Sequence, residues 1–127
     1  MKEIIAFIRR HQVPATKKAL EDAEFPALTL QSVEGRGKQN GIGGWAAEVD
    51  PELTKVMKSP MAAEMRISWI PKRMLRLVVQ DDEVEKAVNI IIQANKTGHT
   101  GDGKIFVCPL TEVIRVRTNE KGRDAVI

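Results

Sequence analysis

The order of strand and helix patterns along the chain limits its possible folds more than any other feature. A continuous apolar run over residues 4–8 predicts a first strand that is covered on both faces. Helical spacing predicts a helix over about residues 14–24, because Pro14 is accepted in a first turn and Pro26 ends the pattern. Apolar residues within 28–33 predict a second strand that leads to Gly35.

A second pair of patterns follows after a gap. Residues 74–79 predict a third strand, and Asp81 or Asp82 is suited to cap the helix that comes next. Gly98 stands where the C-cap of that helix is expected. The apolar face of the predicted helix consists of Val84, Val88, Ile91 and Ala94.

The last strand-like segments are residues 105–107 and 113–116. The resulting order is β-α-β-β-α-β, which predicts an α+β, ferredoxin-like sandwich with a short C-terminal strand. At 127 residues the chain is expected to form one domain over residues 1–127. A chain of this size buries only about two thirds of its extended surface on folding, so association with other copies would stabilise it.

A long loop is predicted over about residues 38–70, between the second and third strands. Loops of this length in a compact domain are usually functional or disordered. This loop carries Trp45 and Trp69 together with three methionines, at positions 57, 61 and 65. These side chains suit a docking surface. A short helix packed on its own domain explains the methionine spacing equally well.

Composition and charge exclude several classes of protein. The net charge is +3, but 17 acidic residues are interspersed among 20 basic ones, which argues against a nucleic-acid-binding surface. Cys108 is the single cysteine, so neither an internal disulfide nor a cysteine-rich metal site is possible. No apolar stretch is long enough to cross a bilayer, and the N-terminus does not resemble a signal peptide. We therefore expect a cytoplasmic protein that is not a membrane protein.

The segment Thr97–Lys104, TGHTGDGK, is typical of a phosphate-binding loop. Its three glycines permit a backbone that turns N–H groups toward an anion, and Lys104 adds a cation. The segment fits the Walker A pattern, but Ile105 stands where a Mg²⁺-binding hydroxyl is needed. The order of elements is also reversed, because a helix precedes the loop and a strand follows it. We therefore reject a P-loop nucleoside triphosphatase and keep phosphate binding, with an ordinary helix-to-strand turn as the alternative.

Two further segments carry cations. Arg115 and Arg117 are two apart on a predicted strand, so their side chains would share one face and could reach one polyphosphate. The segment Gly35–Gln39, GRGKQ, combines two glycines with two cations at the exit of the second strand. Both segments could equally be solvated surface.

The sequence lacks a convincing catalytic arrangement. A slow ATP-hydrolysing enzyme stays open as an alternative because of Lys104, although we find no residue to position the attacking water. An RNA-binding ferredoxin-like domain is a further alternative. It is disfavoured because such domains stack bases on aromatic residues, and this chain has three phenylalanines and no tyrosine.

The segments TGHTGDGKIFV and EVIRVRTNEKGRDAVI closely resemble the carboxy-terminal signature of the P-II nitrogen-regulatory proteins. The segment VEGRGKQNG is similar to the start of their T-loop. The chain looks most like the longer-looped paralogue of the branch encoded beside nitrogenase in archaea and anaerobic bacteria. The similarity covers the chain except for much of the middle loop.

This resemblance implies a homotrimer, or a mixed trimer with a P-II paralogue, that binds ATP or ADP in clefts between subunits. It further implies that Gln39 coordinates Mg²⁺ with ATP and 2-oxoglutarate, and that Lys72 pairs with a 2-oxoglutarate carboxylate. Arg115 and Arg117 would come from the adjacent subunit. The remaining implied nucleotide-binding residues are Thr29, Gly35, Gly37, Lys38, Gly101, Gly103 and Lys104.

The function implied by the resemblance is that of a non-enzymatic regulator whose loop contacts the nitrogenase component that holds the metal cluster. An ammonium channel or glutamine synthetase is the alternative target, although the long loop argues against the channel. Two departures from the family pattern stand out. The absence of tyrosine excludes tyrosyl uridylylation, and Glu24 replaces the glycine expected at the end of the first helix.

Overall fold

The computed structural model describes residues 1–37 and 69–126. The predicted loop over residues 38–70, with Trp45 and the three methionines, lies almost entirely outside the described residues. The described elements, in chain order, are β1 (Lys2–Ile8), α1 (Val13–Asp22), β2 (Thr29–Gly35), β3 (Ile70–Val79), α2 (Val84–Asn95) and β4 (Lys104–Pro109).

The four strands form one antiparallel sheet in the order β2-β3-β1-β4. In the register of β1 with β3, Ile4 lies opposite Leu77 and Ala6 lies opposite Leu75. The two helices pack side by side on one face of this sheet. This arrangement confirms the predicted ferredoxin-like β-α-β-β-α-β fold.

The core lies between the helices and the inward side chains of the strands. Side chains at every second position of β1 and β3 are buried, which is the period expected of a sheet covered on one face. The buried apolar residues that pack together in this core are Ile4, Ala6, Ile8, Leu20, Phe25, Leu75, Leu77, Val79, Ala87 and Ile91. Asn95 joins the two helices, because its side-chain amide donates to Thr16 Oγ1 at 3.0 Å and to the Ile91 carbonyl at 2.8 Å.

The other face of the sheet has no helix over it in the described residues. Ile5 and Phe7 are only partly buried there, and Phe106 is 49 % exposed. The rings of Phe7 and Phe106 meet edge to face, with centroids 6.0 Å apart. The prediction that β1 is covered on both faces is therefore not met within residues 1–37 and 69–126, where this face carries partly exposed apolar side chains.

The third strand begins at Ile70, four residues before the predicted start at Met74. Proline cannot donate a ladder hydrogen bond, yet Pro71 lies within this strand. Pairing with β1 reaches only as far as Arg73, so Pro71 has a strand neighbour on the β2 side alone. Its missing N–H therefore removes no hydrogen bond to β1.

Two predicted caps of the second helix are wrong. Asp81 lies within a 3₁₀ turn over Asp81–Glu83 rather than at the N-cap, and the Gln80 N–H donates to Glu83 Oε2 at 3.0 Å. The helix ends at Asn95 with Lys96 in an extended conformation, so Gly98 lies beyond the cap. The buried Asn95 side chain fixes this end, which no glycine pattern could indicate.

The predicted strand over residues 113–116 is also wrong. Ile114 and Lys121 form an isolated bridge, and residues 116–118 form a turn. The Asn119 N–H donates to the Arg115 carbonyl at 2.8 Å, with Asn119 at a φ of 59°. The chain therefore reverses before a strand can extend.

The end of the first helix contains a residue in an unfavourable backbone conformation. Glu24 has a φ of 69°, and the N–H groups of Glu24 and Phe25 donate to the carbonyls of Glu21 and Leu20 at 3.0 and 2.8 Å. These are the two hydrogen bonds of a Schellman motif, in which glycine is the preferred residue at the Glu24 position. The sequence expectation of a glycine here matches this geometry.

We expect Glu24→Gly to raise the free energy of unfolding by about 1 kcal/mol, because glycine adopts a positive φ without the steric cost that other residues incur. Urea denaturation at a fixed protein concentration measures the change. The control is Glu21→Gly, one turn earlier inside the helix, where glycine is expected to destabilise by about 1 kcal/mol. A loss of stability in Glu24→Gly would contradict this account.

Candidate phosphate-binding cleft

The glycine-rich loop before β4 lines a cleft of about 810 Å³ together with the end of β2 and the start of β3. Six of the predicted site residues lie on the walls of this cleft: Gly35, Gly37, Lys72, Gly101, Gly103 and Lys104. The sheet register explains this convergence. Phe7, near the end of β1, lies opposite Lys104 at the start of β4 and opposite Met74 in β3. Gly35, at the end of β2, lies opposite Ile70 at the start of β3. The loops attached to these strand ends therefore meet at one end of the sheet.

Gly103 is fixed against the backbone of the first strand. It has a φ of 118°, and a Cβ atom built on it would lie 1.9 Å from the carbonyl oxygen of Phe7. No residue with a side chain fits in that space. The close contact sets the position of Lys104, whose backbone begins β4 in the next position.

Asp102 occupies the first half of the loop with its own carboxylate. Its Oδ2 accepts from the backbone N–H groups of Thr97 and Gly98 at 2.8 and 2.9 Å, and its Oδ1 accepts from the Thr97 hydroxyl. These N–H groups are therefore already paired with an anion from the chain itself. Any phosphate must be met by the second half of the loop, Gly101–Lys104, rather than by the whole segment as the sequence suggested.

Arg9 lies behind the loop and holds it from the protein side. Its side chain is 1 % exposed, and its Nη1 donates to Asp102 Oδ1 at 2.5 Å while Nη2 donates to the Thr100 carbonyl at 3.1 Å. Burial of an arginine is favourable only when it is paired with a charge and hydrogen-bonded, as here. Arg9 therefore connects the end of β1 to two positions of the loop.

Lys72 reaches the loop from the opposite wall. Its Nζ donates to the Gly101 carbonyl at 2.8 Å, which places a cation directly beside the part of the loop that faces the cleft. Lys104 is exposed at the same opening. Arg36 adds a third cation, and its guanidinium lies 5.5 Å from the centroid of the Trp69 ring. Three cations near exposed loop backbone make this cleft suitable for an anion.

A family model described as nitrogen regulatory protein P-II matches residues 1–120 of the chain. The chain belongs to the P-II family. The P-II protein described here is 46 % identical over 127 residues to the nitrogen fixation nifHD region GlnB-like protein 2 of Methanococcus maripaludis, covering 99 % of this chain and 100 % of that one. The corresponding protein of Methanobacterium ivanovii is 43 % identical over 129 residues, with full coverage of both chains.

A solved structure supports the same assignment. The crystal structure of Arabidopsis thaliana PII bound to citrate superposes with a TM-score of 0.71 at 29 % identity, covering 98 % of this chain and 88 % of that one. These comparisons confirm the resemblance to the P-II branch found beside nitrogenase genes. They place this P-II protein among regulators of nitrogen metabolism.

Five predicted site residues do not lie in the cleft of this P-II chain or are not described. Thr29 lies at the other end of β2 from Gly35, a separation of about 20 Å along an extended strand, and lines a different depression. Arg115 and Arg117 belong to the C-terminal hairpin. Lys38 and Gln39, and with Gln39 the predicted Mg²⁺ ligand, lie outside the described residues.

The two C-terminal arginines differ in their surroundings. Arg115 donates from Nη1 to Glu120 Oε1 at 3.2 Å and from Nη2 to the Asp124 carbonyl at 2.6 Å, so the hairpin holds its side chain. Arg117 lies in the turn and is exposed. The prediction that both side chains share one strand face is wrong, because no strand forms there.

Sequence reasoning missed Arg9 and Asp102, which organise the loop. Asp102 could have been noticed as a carboxylate between two glycines, where aspartate commonly pairs with nearby backbone N–H groups. Arg9 gave no signal, because its partner is 93 positions away in the chain.

Neither a membrane span nor a metal-binding cluster is found in the part of the chain that the structure describes. None of the described helices has both the length and the apolar character needed to cross a bilayer. In residues 1–37 and 69–126, no three His, Cys, Asp or Glu side chains are grouped so that they could hold a metal ion.

The Asp102 carboxyl should make the stability of this P-II protein depend on acid pH. Its partial burial acts to raise the pKa, but hydrogen bonds from Thr97, Arg9 and the backbone N–H of Gly98 outweigh burial and lower the pKa from 3.8 to about 2. The pKa is thus lower in the folded state than in the unfolded state. The resulting stability, about 2 kcal/mol, is complete above pH 3.8 and is lost as the pH falls through about 2.

We therefore expect the difference in unfolding free energy between the wild type and Asp102→Asn to narrow as the pH falls from 5 to 2. Urea denaturation at fixed protein concentration across this range measures the difference. A gap that stays constant with pH would show that ionisation of Asp102 does not contribute to stability.

Proposed function

We propose that this P-II protein is a non-enzymatic sensor that binds ATP or ADP, with Mg²⁺ and 2-oxoglutarate, and regulates nitrogenase through its long loop. One observation carries the proposal. Lys72, Lys104 and the Gly101–Gly103 backbone converge on the same cleft as Gly35 and Gly37, which stand at the start of that loop. Ligand binding in the cleft would therefore act directly on the base of the loop.

The nucleotide phosphates fit the second half of the glycine loop. Gly101 and Gly103 bring backbone close to the cleft, and the exposed Lys104 offers a cation to the phosphates. Gly35, Gly37 and Lys38 would lie along the nucleotide, and Thr29, at the other end of β2 from Gly35, would lie toward the base.

A neighbouring subunit would complete the nucleotide site. Arg115 and Arg117 lie away from the cleft of their own chain, so they would serve the cleft of an adjacent copy. The helix-free face of the sheet, with Ile5, Phe7 and Phe106, supports trimer formation because association would bury this apolar surface. A mixed trimer with a P-II paralogue would use the same face.

The 2-oxoglutarate site would lie where Lys72 enters the cleft. Its Nζ is held next to Gly101 and could pair with a carboxylate there. The similar structure from Arabidopsis is bound to citrate, which supports a polycarboxylate as a class of ligand for this fold. Gln39 would coordinate Mg²⁺ together with ATP phosphates and 2-oxoglutarate.

The target proposed from the nifHD-region relatives is the nitrogenase component that holds the metal cluster. An ammonium channel or glutamine synthetase is the alternative. Coupling between ligand and target must be reciprocal: if 2-oxoglutarate with MgATP releases the target, the target must weaken 2-oxoglutarate binding by the same factor.

Calorimetric titration of 2-oxoglutarate tests the sensor function, with MgATP in one cell and MgADP in the other. We expect saturable binding with MgATP and none with MgADP. Gln39→Ala should abolish 2-oxoglutarate binding and retain ATP, whereas Arg117→Ala should weaken both nucleotides. If the assembled protein binds neither nucleotide, or if both variants lose all three ligands equally, the proposal is wrong.

A further inference from the structure

We propose that Arg9 is a charge-compensating positioning residue: it neutralises Asp102, so that the loop can be organised by an internal carboxylate and still accept anionic phosphates beside it. This inference rests on the proposed nucleotide binding. It assigns Arg9 a role in setting the electrostatic potential of the cleft, in addition to its role in holding the loop.

The loop depends on a carboxylate for its shape. Asp102 accepts from two backbone N–H groups, from the Thr97 hydroxyl and from Arg9, so four donors converge on its two oxygens. No neutral side chain at this position could accept all of these hydrogen bonds as strongly. The same carboxylate lies between Gly101 and Gly103 on the wall of the cleft, where a phosphate would be repelled by its charge.

The repulsion between the Asp102 carboxylate and a phosphate is significant because few charges of the described residues line the cleft. Arg36, Lys72 and Lys104 contribute three positive charges, while Glu34 and Asp102 contribute two negative charges. Of the two carboxylates, Asp102 is the one embedded in the glycine loop itself. Without compensation, its charge would offset one of the three cations that favour phosphate binding.

Arg9 supplies the compensation from behind. Its guanidinium lies 2.5 Å from Asp102 Oδ1 and its side chain is 1 % exposed, so water does not screen the pair effectively from that side. Because Arg9 also donates to the Thr100 carbonyl, it acts through the loop and does not line the cleft. This position suits a residue that changes the charge of the site without touching a ligand.

The experiment compares the dissociation constants of ATP and AMP by calorimetry in the assembled protein. In Arg9→Met the Asp102 charge is uncompensated, so we expect ATP to lose affinity about tenfold more than AMP, because more phosphate charge lies near the loop. Arg9→Lys keeps the cation and should hold the ratio of the two constants within about threefold of the wild type.

Two further variants separate charge from structure. Arg10 is the next residue in the chain and lines a different cavity. Arg10→Met removes one positive charge there and should leave the ratio of the ATP and AMP dissociation constants unchanged. Asp102→Asn removes the opposite charge and should shift the ratio in favour of ATP.

Opposite shifts in Arg9→Met and Asp102→Asn support the proposal. Equal losses of ATP and AMP in both variants would show a purely structural role and overturn it.

A measurement without nucleotide distinguishes failure of this inference from failure of the proposed function. We expect Arg9→Met to accelerate hydrogen exchange at the amides of Thr97 and Gly98 and to leave the amides of β3 unchanged. If the wild type binds no nucleotide, the proposed sensor function is wrong. Unchanged hydrogen exchange at Thr97 and Gly98 in Arg9→Met would overturn the positioning of the loop by Arg9, whatever the result with nucleotide.

Discussion

Gly103→Ala is expected to lower the free energy of unfolding by about 3 kcal/mol or more. Two costs combine in this variant. A Cβ atom at position 103 would lie 1.9 Å from the Phe7 carbonyl oxygen and 3.0 Å from its carbon, so β1 and β4 would have to separate. The φ of 118° adds strain for any residue other than glycine. Urea denaturation at a fixed protein concentration measures the loss.

Two other glycines separate these costs. Gly98 has a φ of 88°, and nothing lies within 4 Å of a Cβ atom built on it. For Gly98→Ala we therefore expect a loss of about 1–2 kcal/mol from backbone strain alone. Gly35→Ala meets nothing within 4 Å and does not have a positive φ, so we expect a change below about 1 kcal/mol. If all three variants were equally stable, the contact with Phe7 would not limit the fold.

Lys104→Met is expected to weaken ATP and ADP by roughly ten- to one-hundredfold while the fold stays intact. The side chain is exposed at the mouth of the cleft, so its removal costs little packing. A charge-assisted hydrogen bond to phosphate is worth about 1.5–3 kcal/mol, which corresponds to a change of this size in the dissociation constant. Calorimetric titration of each nucleotide into the purified variant measures the change.

Lys18→Met is the matched control for the loss of charge. Lys18 is exposed on α1, where its Nζ lies 3.0 Å from Asp22 Oδ2, and it is not among the residues that line the cleft. This variant should bind both nucleotides like the wild type. Adenosine should bind equally to the wild type and Lys104→Met, and a parallel loss of adenosine would assign Lys104 to the fold rather than to the phosphates.

Apolar periodicity predicted the main elements because each of them buries one face. The continuous apolar run over residues 4–8 predicted β1 and the helical spacing around Ile91 predicted α2, and both segments bury side chains in a common core. The start of β3 was misplaced because the strand pattern was seen only over residues 74–79, whereas pairing with β2 continues to Ile70, beyond the last pair with β1 at Arg73. The C-terminal strand was wrong for a related reason, since apolar residues around Ile114 meet no partner strand among the described residues.

The part of the candidate site that could be predicted is the part that depends on the backbone conformations open to glycine and on the charge of lysine. Glycine and lysine at fixed spacing identified the loop and Lys104, and the resemblance to the P-II family supplied Lys72. The internal role of Asp102 was not visible, because aspartate in a loop also occurs as an ordinary turn residue.

The sequence alone determined the fold class, the family and the loop that faces the candidate ligand, since these follow from local periodicity and from residue types whose backbone requirements are intrinsic. Only the tertiary structure decided which groups surround that loop. Arg9 reaches Asp102 across 93 positions, and Lys72 reaches Gly101 across 29. Such pairs are set by the register of the sheet, which brings strand ends together in space and leaves no periodic pattern in the chain.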